Sequence, residues 1–152
     1  MKRVLSIVLA LALLICAVPV HANAAEVSDG SPVVTTYDDG SYTVTEIIDG
    51  NARATTGTKC KQTTKYNSDD EVEWIFRLYA VFSYDGTTSS CTMAYTTLVI
   101  QSDIWYEISR ESSYSGATAY GSATLGKTLL GITISKPTYS LTLSCDKDGN
   151  LS

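Results

Sequence analysis

The longest alternation in the chain runs from Glu71 to Tyr84. Val72, Trp74, Phe76, Leu78, Ala80, Phe82 and Tyr84 form an apolar row, while Glu73, Ile75, Arg77, Tyr79, Val81 and Ser83 are mixed. A period of two with one apolar face predicts a half-buried β-strand. Its length exceeds the usual five or six residues, so a bulge is expected within it, between Tyr79 and Val81. Asp85-Gly86 supplies a tight hairpin turn, and a second strand is expected from Cys91.

Shorter alternations flank this row. Val33–Tyr37 and Tyr42–Ile48 predict a hairpin turned at Asp38-Asp39-Gly40. Thr58–Tyr66 predicts a polar edge strand, with Lys59, Lys61 and Lys65 on one side discouraging edge-to-edge pairing. Cys91–Ile100 starts with Cys91, Met93 and Tyr95 on one face and then shifts phase to Leu98 and Ile100, a second expected irregularity. Ile104–Ser109 sets Ile104, Tyr106 and Ile108 against Trp105, Glu107 and Ser109, and Ser112–Gly116 reads as a loop. Ala117, Ala119, Gly121, Ala123 and Leu125 make an unusually small face, close to which Trp74 is expected to sit. In the last strand Tyr139, Leu141, Leu143 and Cys145 point inward. Six to eight strands at roughly 8–12-residue spacing, with no helical period between them, predict an all-β fold. The expected architecture is a single antiparallel β-sandwich of Ig-like size and strand spacing.

Composition adds a compartment. Lys2 and Arg3, the apolar run Val4–Val18 and the small-x-small site Ala22-Asn23-Ala24 read as a signal peptide over residues 1–24. Ile15 before Cys16 argues against lipid anchoring. Residues 25–57 are expected to be an extended lead-in and linker, poor in large apolar residues, ahead of a sandwich domain at 58–152. Loss of Lys2 and Arg3 reduces eleven basic side chains to nine against sixteen acidic ones, so the net charge moves from −5 to −7. No basic stripe for phosphate remains, which excludes a nucleic-acid partner and disfavours anionic membranes. The expected protein is secreted, with no stable membrane anchor after cleavage.

Trp74-x-Phe76-x-Leu78, Phe82-x-Tyr84-Asp85-Gly86 leading to Cys91, Leu141-x-Leu143-x-Cys145 and the terminal Gly149-x-Leu151-Ser152 together resemble a group of small secreted proteins of Gram-positive bacteria. The resemblance spans about Thr58 to Ser152, and Cys60 lies outside its pattern. It implies a secreted, disulfide-linked, β-rich protein and carries no activity.

The chemistry is mostly exclusion. The one histidine, His21, leaves with the signal peptide. Ser-His-Asp, Cys-His and His-based zinc sites are thereby excluded, and no enzyme, metal or cofactor is expected. Asp69, Asp70, Glu71 and Glu73 cluster at a turn, where solvated acids are ordinary. Asp146-Lys147-Asp148-Gly149-Asn150 opens like a calcium loop but lacks the closing glutamate, so a turn is preferred. Trp105 beside Glu107 is the candidate ligand-binding pair, since an exposed indole near hydrogen-bonding groups grips sugars or proteins. The competing reading, burial of the indole under a loop or the second sheet, is the ordinary fate of so large a side chain and is preferred. Of the three cysteines that remain, Cys91 and Cys145 face inward from distant strands and are expected to bridge, leaving Cys60 free or intermolecularly linked. The function expected is an extracellular module binding a glycan or a protein. The alternative is a secreted antimicrobial or host-directed effector acting on a cell or membrane.

Overall fold

The computed structural model describes residues 31–48 and 56–152. The expected signal peptide and residues 49–55 of the linker lie outside the described residues. β1 (Val33–Thr36), β2 (Tyr42–Ile48), β3 (Thr56–Tyr66), β4 (Val72–Tyr84) and β5 (Ser89–Ile100) form one antiparallel sheet in that order. β6 (Trp105–Ser115), β7 (Thr118–Leu129), β8 (Ile132–Ser135) and β9 (Thr138–Ser144) form a second. In it, β7 pairs with β6 along one edge and with β8 and β9 along the other. The two sheets pack as a β-sandwich. Its strands follow one another as a meander, with β9 as the one neighbour out of sequence order.

The inner row of β4 is the core. Trp74, Phe76, Leu78, Ala80 and Phe82 are all fully buried, opposed by Ala119, Ala123, Leu125, Leu141 and Leu143 of the second sheet. Trp74 meets Trp105 edge-on, with ring centroids 6.2 Å apart, and lies 4.4 Å from the ring of Tyr139. Trp74 shares one core cluster with Ala119, Ala123 and Leu125 of the small β7 face. A Cβ added to Gly121 would come within 2.7 Å of Thr96 Cγ2 and 3.2 Å of Leu78 Cδ1. Gly121 is where Thr96 and Leu78 are admitted.

Of four register shifts among the described strands, three bear on which residues face the core, and the fourth, between Lys127 and Thr128, leaves Ile134 as the extra residue of β8. Between Val81 and Phe82 the register moves from Val81↔Met93 to Phe82↔Cys91, so Thr92 is the extra residue. The extra residue is on β5 and not within β4 between Tyr79 and Val81, nor between Tyr95 and Leu98, as expected, and it corrects the face assignment on β5. Met93 and Tyr95 point outward beside Val81 and Tyr79, while Cys91 turns inward beside Phe82. A second shift at Lys65/Tyr66 leaves Glu73 as the extra residue of β4. The third, between Glu107 and Ser109, leaves Ile108 unpaired and lets β6 continue to Ser115, through the segment expected to be a loop.

β3 differs most from expectation. It is not an edge strand, because β2 pairs with it from Tyr42↔Tyr66 to Ile48↔Cys60. The hairpin foreseen in the lead-in is thus part of the five-stranded sheet. Thr45 and Thr63 join their hydroxyls across the pair at 2.7 Å, and the rings of Tyr42 and Tyr66 stack at 4.8 Å. Lys59, Lys61 and Lys65 do share a face, and it is the inner one: they pair with Ala80, Leu78 and Trp74. Their methylene stems supply apolar surface there while the ammonium ends reach polar partners.

Truncation of the row should be costly. Trp74→Ala and Trp105→Ala are each expected to lower the unfolding free energy by about 3–5 kcal/mol in urea melts. An effect below about 1 kcal/mol, the scale of surface substitutions, would show that the pair does not carry the core.

Candidate functional site

The most ligand-like surface lies on the outside of the second sheet. The inner positions of β7 are small or apolar, so its period of two sends Thr118, Tyr120, Ser122 and Thr124 outward. β9 does the same: Leu141 and Leu143 are buried, and Thr138, Ser140, Thr142 and Ser144 face out beside their β7 partners. The result is a ladder of four hydroxyl rungs. Its end rungs are closed, Thr118 to Ser144 at 3.0 Å and Thr124 to Thr138 at 2.8 Å. Its middle rungs, Tyr120–Thr142 and Ser122–Ser140, are the ones that line a concavity of about 230 Å³. β6 adds Glu111 and Ser113, paired with Ser122 and Tyr120. One carboxylate, one half-exposed phenol and a floor of short hydroxyl side chains therefore meet in a hollow. None of them was singled out as a ligand-binding residue from sequence, because a serine-rich stretch read as a loop conceals the pairing that assembles them.

The sequence candidates are placed elsewhere. Trp105 is only 6% exposed, inside the core against Trp74, with Lys127 Nζ 5.4 Å from its ring centre. Neither face of the indole is available as a platform, and the burial reading holds. Its strand neighbours Ile104, Tyr106 and Ile108 take the outward positions instead. Glu107 is exposed and pairs with Arg110 at 3.4 Å, so the pair Trp105 and Glu107 does not form a site.

Among the described residues Cys60, Cys91 and Cys145 are buried free thiols, and the expected Cys91–Cys145 bridge is not present. What holds is the placement of the two residues. Cys91 N donates to Gly116 O at 2.7 Å and Cys145 N to Ala117 O at 3.1 Å, so both flank the β6–β7 turn. Burial raises the pKa of each, and the charge of Cys145 raises Cys91 further. Cys60 pairs with Tyr79 on the opposite face of the first sheet, out of reach of both. The Asp146–Asn150 loop is a turn: Asp146 accepts from the amides of Asp148 and Asn150 at 2.9 and 2.8 Å. Among the described residues no cluster of three or more His, Cys, Asp or Glu side chains could hold a metal ion.

A polar network seals the end of the sandwich beneath the β1–β2 turn, invisible as long as β3 was read as an edge. Lys65 is 4% exposed; its Nζ donates to Ser41 Oγ at 2.5 Å and lies 3.6 Å from the centre of the Tyr37 ring. Ser41 Oγ in turn donates to Asp39, whose pKa is lowered chiefly by that bond, and Lys127 approaches Asp39 at 3.6 Å. This is a serine beside a lysine, but the hydroxyl proton is committed to Asp39 and the oxygen is buried. The arrangement holds a buried charge and presents no nucleophile. Glu73, the bulged residue, is buried in the field of Lys65 and Tyr139. Burial raises the pKa of the Tyr139 phenol.

Burial lowers the pKa of Lys65 from 10.5 to about 8, with Asp39 and Glu73 opposing the shift. Between those two values the folded chain binds fewer protons at this site than the unfolded chain, so this contribution to stability grows with pH. It is complete above 10.5 and lost as pH falls through about 8. Lys65→Met should therefore lose stability relative to wild type as pH rises from about 7 to about 10, with groups common to both chains cancelling. Parallel urea-midpoint curves for the two proteins across that range would contradict it. No protein-family model, curated protein or solved structure matches the chain.

Proposed function

We propose that the chain is a secreted extracellular binding module whose outer β6–β7–β9 face takes a polar, hydroxyl-rich ligand of the glycan class. The observation that carries this reading is the hollow between Glu111 and Tyr120, floored by Ser113, Ser122, Ser140 and Thr142. A carboxylate accepts hydrogen bonds from two vicinal hydroxyls, serine and threonine both donate and accept, and a phenol ring offers an apolar face to a sugar's C–H side. Secretion rests on the leader at residues 1–24, and the resemblance to secreted Gram-positive proteins belongs to the same proposal.

The same reading has Cys91 and Cys145, which both flank the β6–β7 turn, join in an oxidising compartment. Cys91 and Cys145 would each give up one proton and one electron to an external disulfide, which is reduced to two thiols while their S–S bond forms. Cys60 stays out because it faces the other side of the sheet. Peptide mapping of the secreted chain without reductant should show a Cys91–Cys145 peptide lighter by two hydrogens. A major Cys60-linked species would contradict the face assignment.

Glycan-array screening followed by titration calorimetry tests the binding reading. Tyr120→Ala is expected to weaken the wild-type ligand about tenfold, the scale of one lost aromatic contact, with Glu111→Gln comparable. Unchanged affinity in both variants, or no glycan bound by wild type, would refute it.

A further inference from the structure

The β7–β8 hairpin breaks the rule that several other turns of this chain obey. At those turns an Asp or Asn side chain accepts from nearby amides: Asp39 from Ser41, Asn67 from Asp69 and Glu71, Asp85 from Thr87 and Thr88, Asp146 from Asp148 and Asn150. Between β7 and β8 the two turn residues are Leu130 and Gly131, with φ of 51° and 78°. Positive φ at both positions is the type I′ geometry, which favours Asn-Gly. A leucine there is strained. It is also 95% exposed, and Leu129, Ile132 and Ile134 around it are exposed at 59, 69 and 55%. Strain and exposed apolar surface coincide at one tip, where neither benefits the fold.

Charge and shape identify what meets the tip. No acidic residue occurs between Glu111 and Asp146, and the hairpin is flanked by Lys127 and Lys136. Lys127 is shared with Asp39, whereas Lys136 is, among the described residues, a basic side chain with no partner. Asp39 holds Lys127, and Asp103 adjoins Ile104, whose carbonyl accepts from Thr128, so Lys136 is the positive charge this hairpin offers. Tyr106 roots the hairpin, its ring lying over Gly126 and its hydroxyl 2.8 Å from Thr133 Oγ1. The tip is a projection, so a protein partner would need a matching socket, whereas a bilayer accepts any convex apolar end. Three residues of strand separate the root of the hairpin at Lys127 from Leu130, about 10 Å, which matches the roughly 5–10 Å depth of interfacial insertion.

We propose that the β7–β8 hairpin is a membrane-surface tip: Leu129, Leu130, Ile132 and Ile134 enter the outer part of a phospholipid bilayer, and Lys136 faces the phosphates. This attachment is reversible and independent of the glycan reading.

Leu130→Asn separates the tip from the fold, since asparagine suits the turn better than leucine. The chain released by leader removal is mixed with vesicles of phosphatidylcholine, with and without phosphatidylglycerol, and sedimented. Wild type is expected to bind both and to favour the anionic set. Leu130→Asn should melt at the same or a higher temperature yet bind about tenfold or more weakly, the scale of withdrawing one inserted leucine. Lys136→Glu should lose most of the preference for phosphatidylglycerol. Wild type that binds neither vesicle overturns the proposal, as does Leu130→Asn that binds like wild type. So does sedimentation equilibrium showing a wild-type dimer that Leu130→Asn dissolves, which would assign the tip to a second copy of the chain.

Discussion

The structure depends on keeping one row dry. Trp74, Phe76, Leu78, Ala80 and Phe82 bury completely because the second sheet lays its smallest strand, β7, across them. That requirement propagates outward. A glycine at position 121 lets Leu78 and Thr96 reach the facing backbone, and alternation then forces the other half of β7 to the surface as serine, threonine and tyrosine. The hydroxyl ladder is thus the reverse side of the packing solution. A chain that fills its core from one long aromatic strand leaves the opposing strand small inside and polar outside.

Where the sequence was legible, parity was unbroken. The β4 row, the Asp85-Gly86 turn, the inward Leu141 and Leu143 and the all-β class all follow from alternation alone. Each misread element sits at a change of parity or on an amphipathic side chain. Thr92 shifts β5 by one, so Cys91 is inward although Met93 and Tyr95 are outward. Ile108 does the same on β6, where the apolar Ile104, Tyr106 and Ile108 face out and Trp105 faces in. One inserted residue exchanges faces, and a bulge has no reliable signature in residue type. The serines of β6 read as loop because their pairing partners lie on β7, not in their own pattern.

The lysines of β3 mislead for a different reason. Lysine on a strand ordinarily marks a solvated edge, but its four-carbon stem is as apolar as a short aliphatic side chain. On β3 the stem lines the core and only the ammonium needs a partner: Thr142 O for Lys61 at 2.9 Å, and Ser41 with the Tyr37 ring for Lys65. Burying these charges costs stability, and the lowered pKa of Lys65 records that cost. It also ties β3 to β9 and to the β1–β2 turn. Polar contacts between layers fix the register of a row that leucines could slide along.

This placement changes the meaning of the net charge. Lys59 and Lys65 are buried, Arg77 is held by Gln62 at 2.5 Å, Arg110 by Glu107 and Lys147 by Asp148 at 2.7 Å. Most of the basic charge is therefore spent inside the molecule or cancelled beside an acid, and the surface is more acidic than a count of side chains implies. Against that background the acid-free run from Ser112 to Cys145 stands apart. It contains both the hydroxyl ladder and the apolar hairpin. The ladder of β7 and β9 carries hydroxyls and no charge of its own, and Glu111 of β6 supplies the carboxylate beside it. Both surfaces lie on the second sheet, the ladder on its outer face and the hairpin at the end of β7.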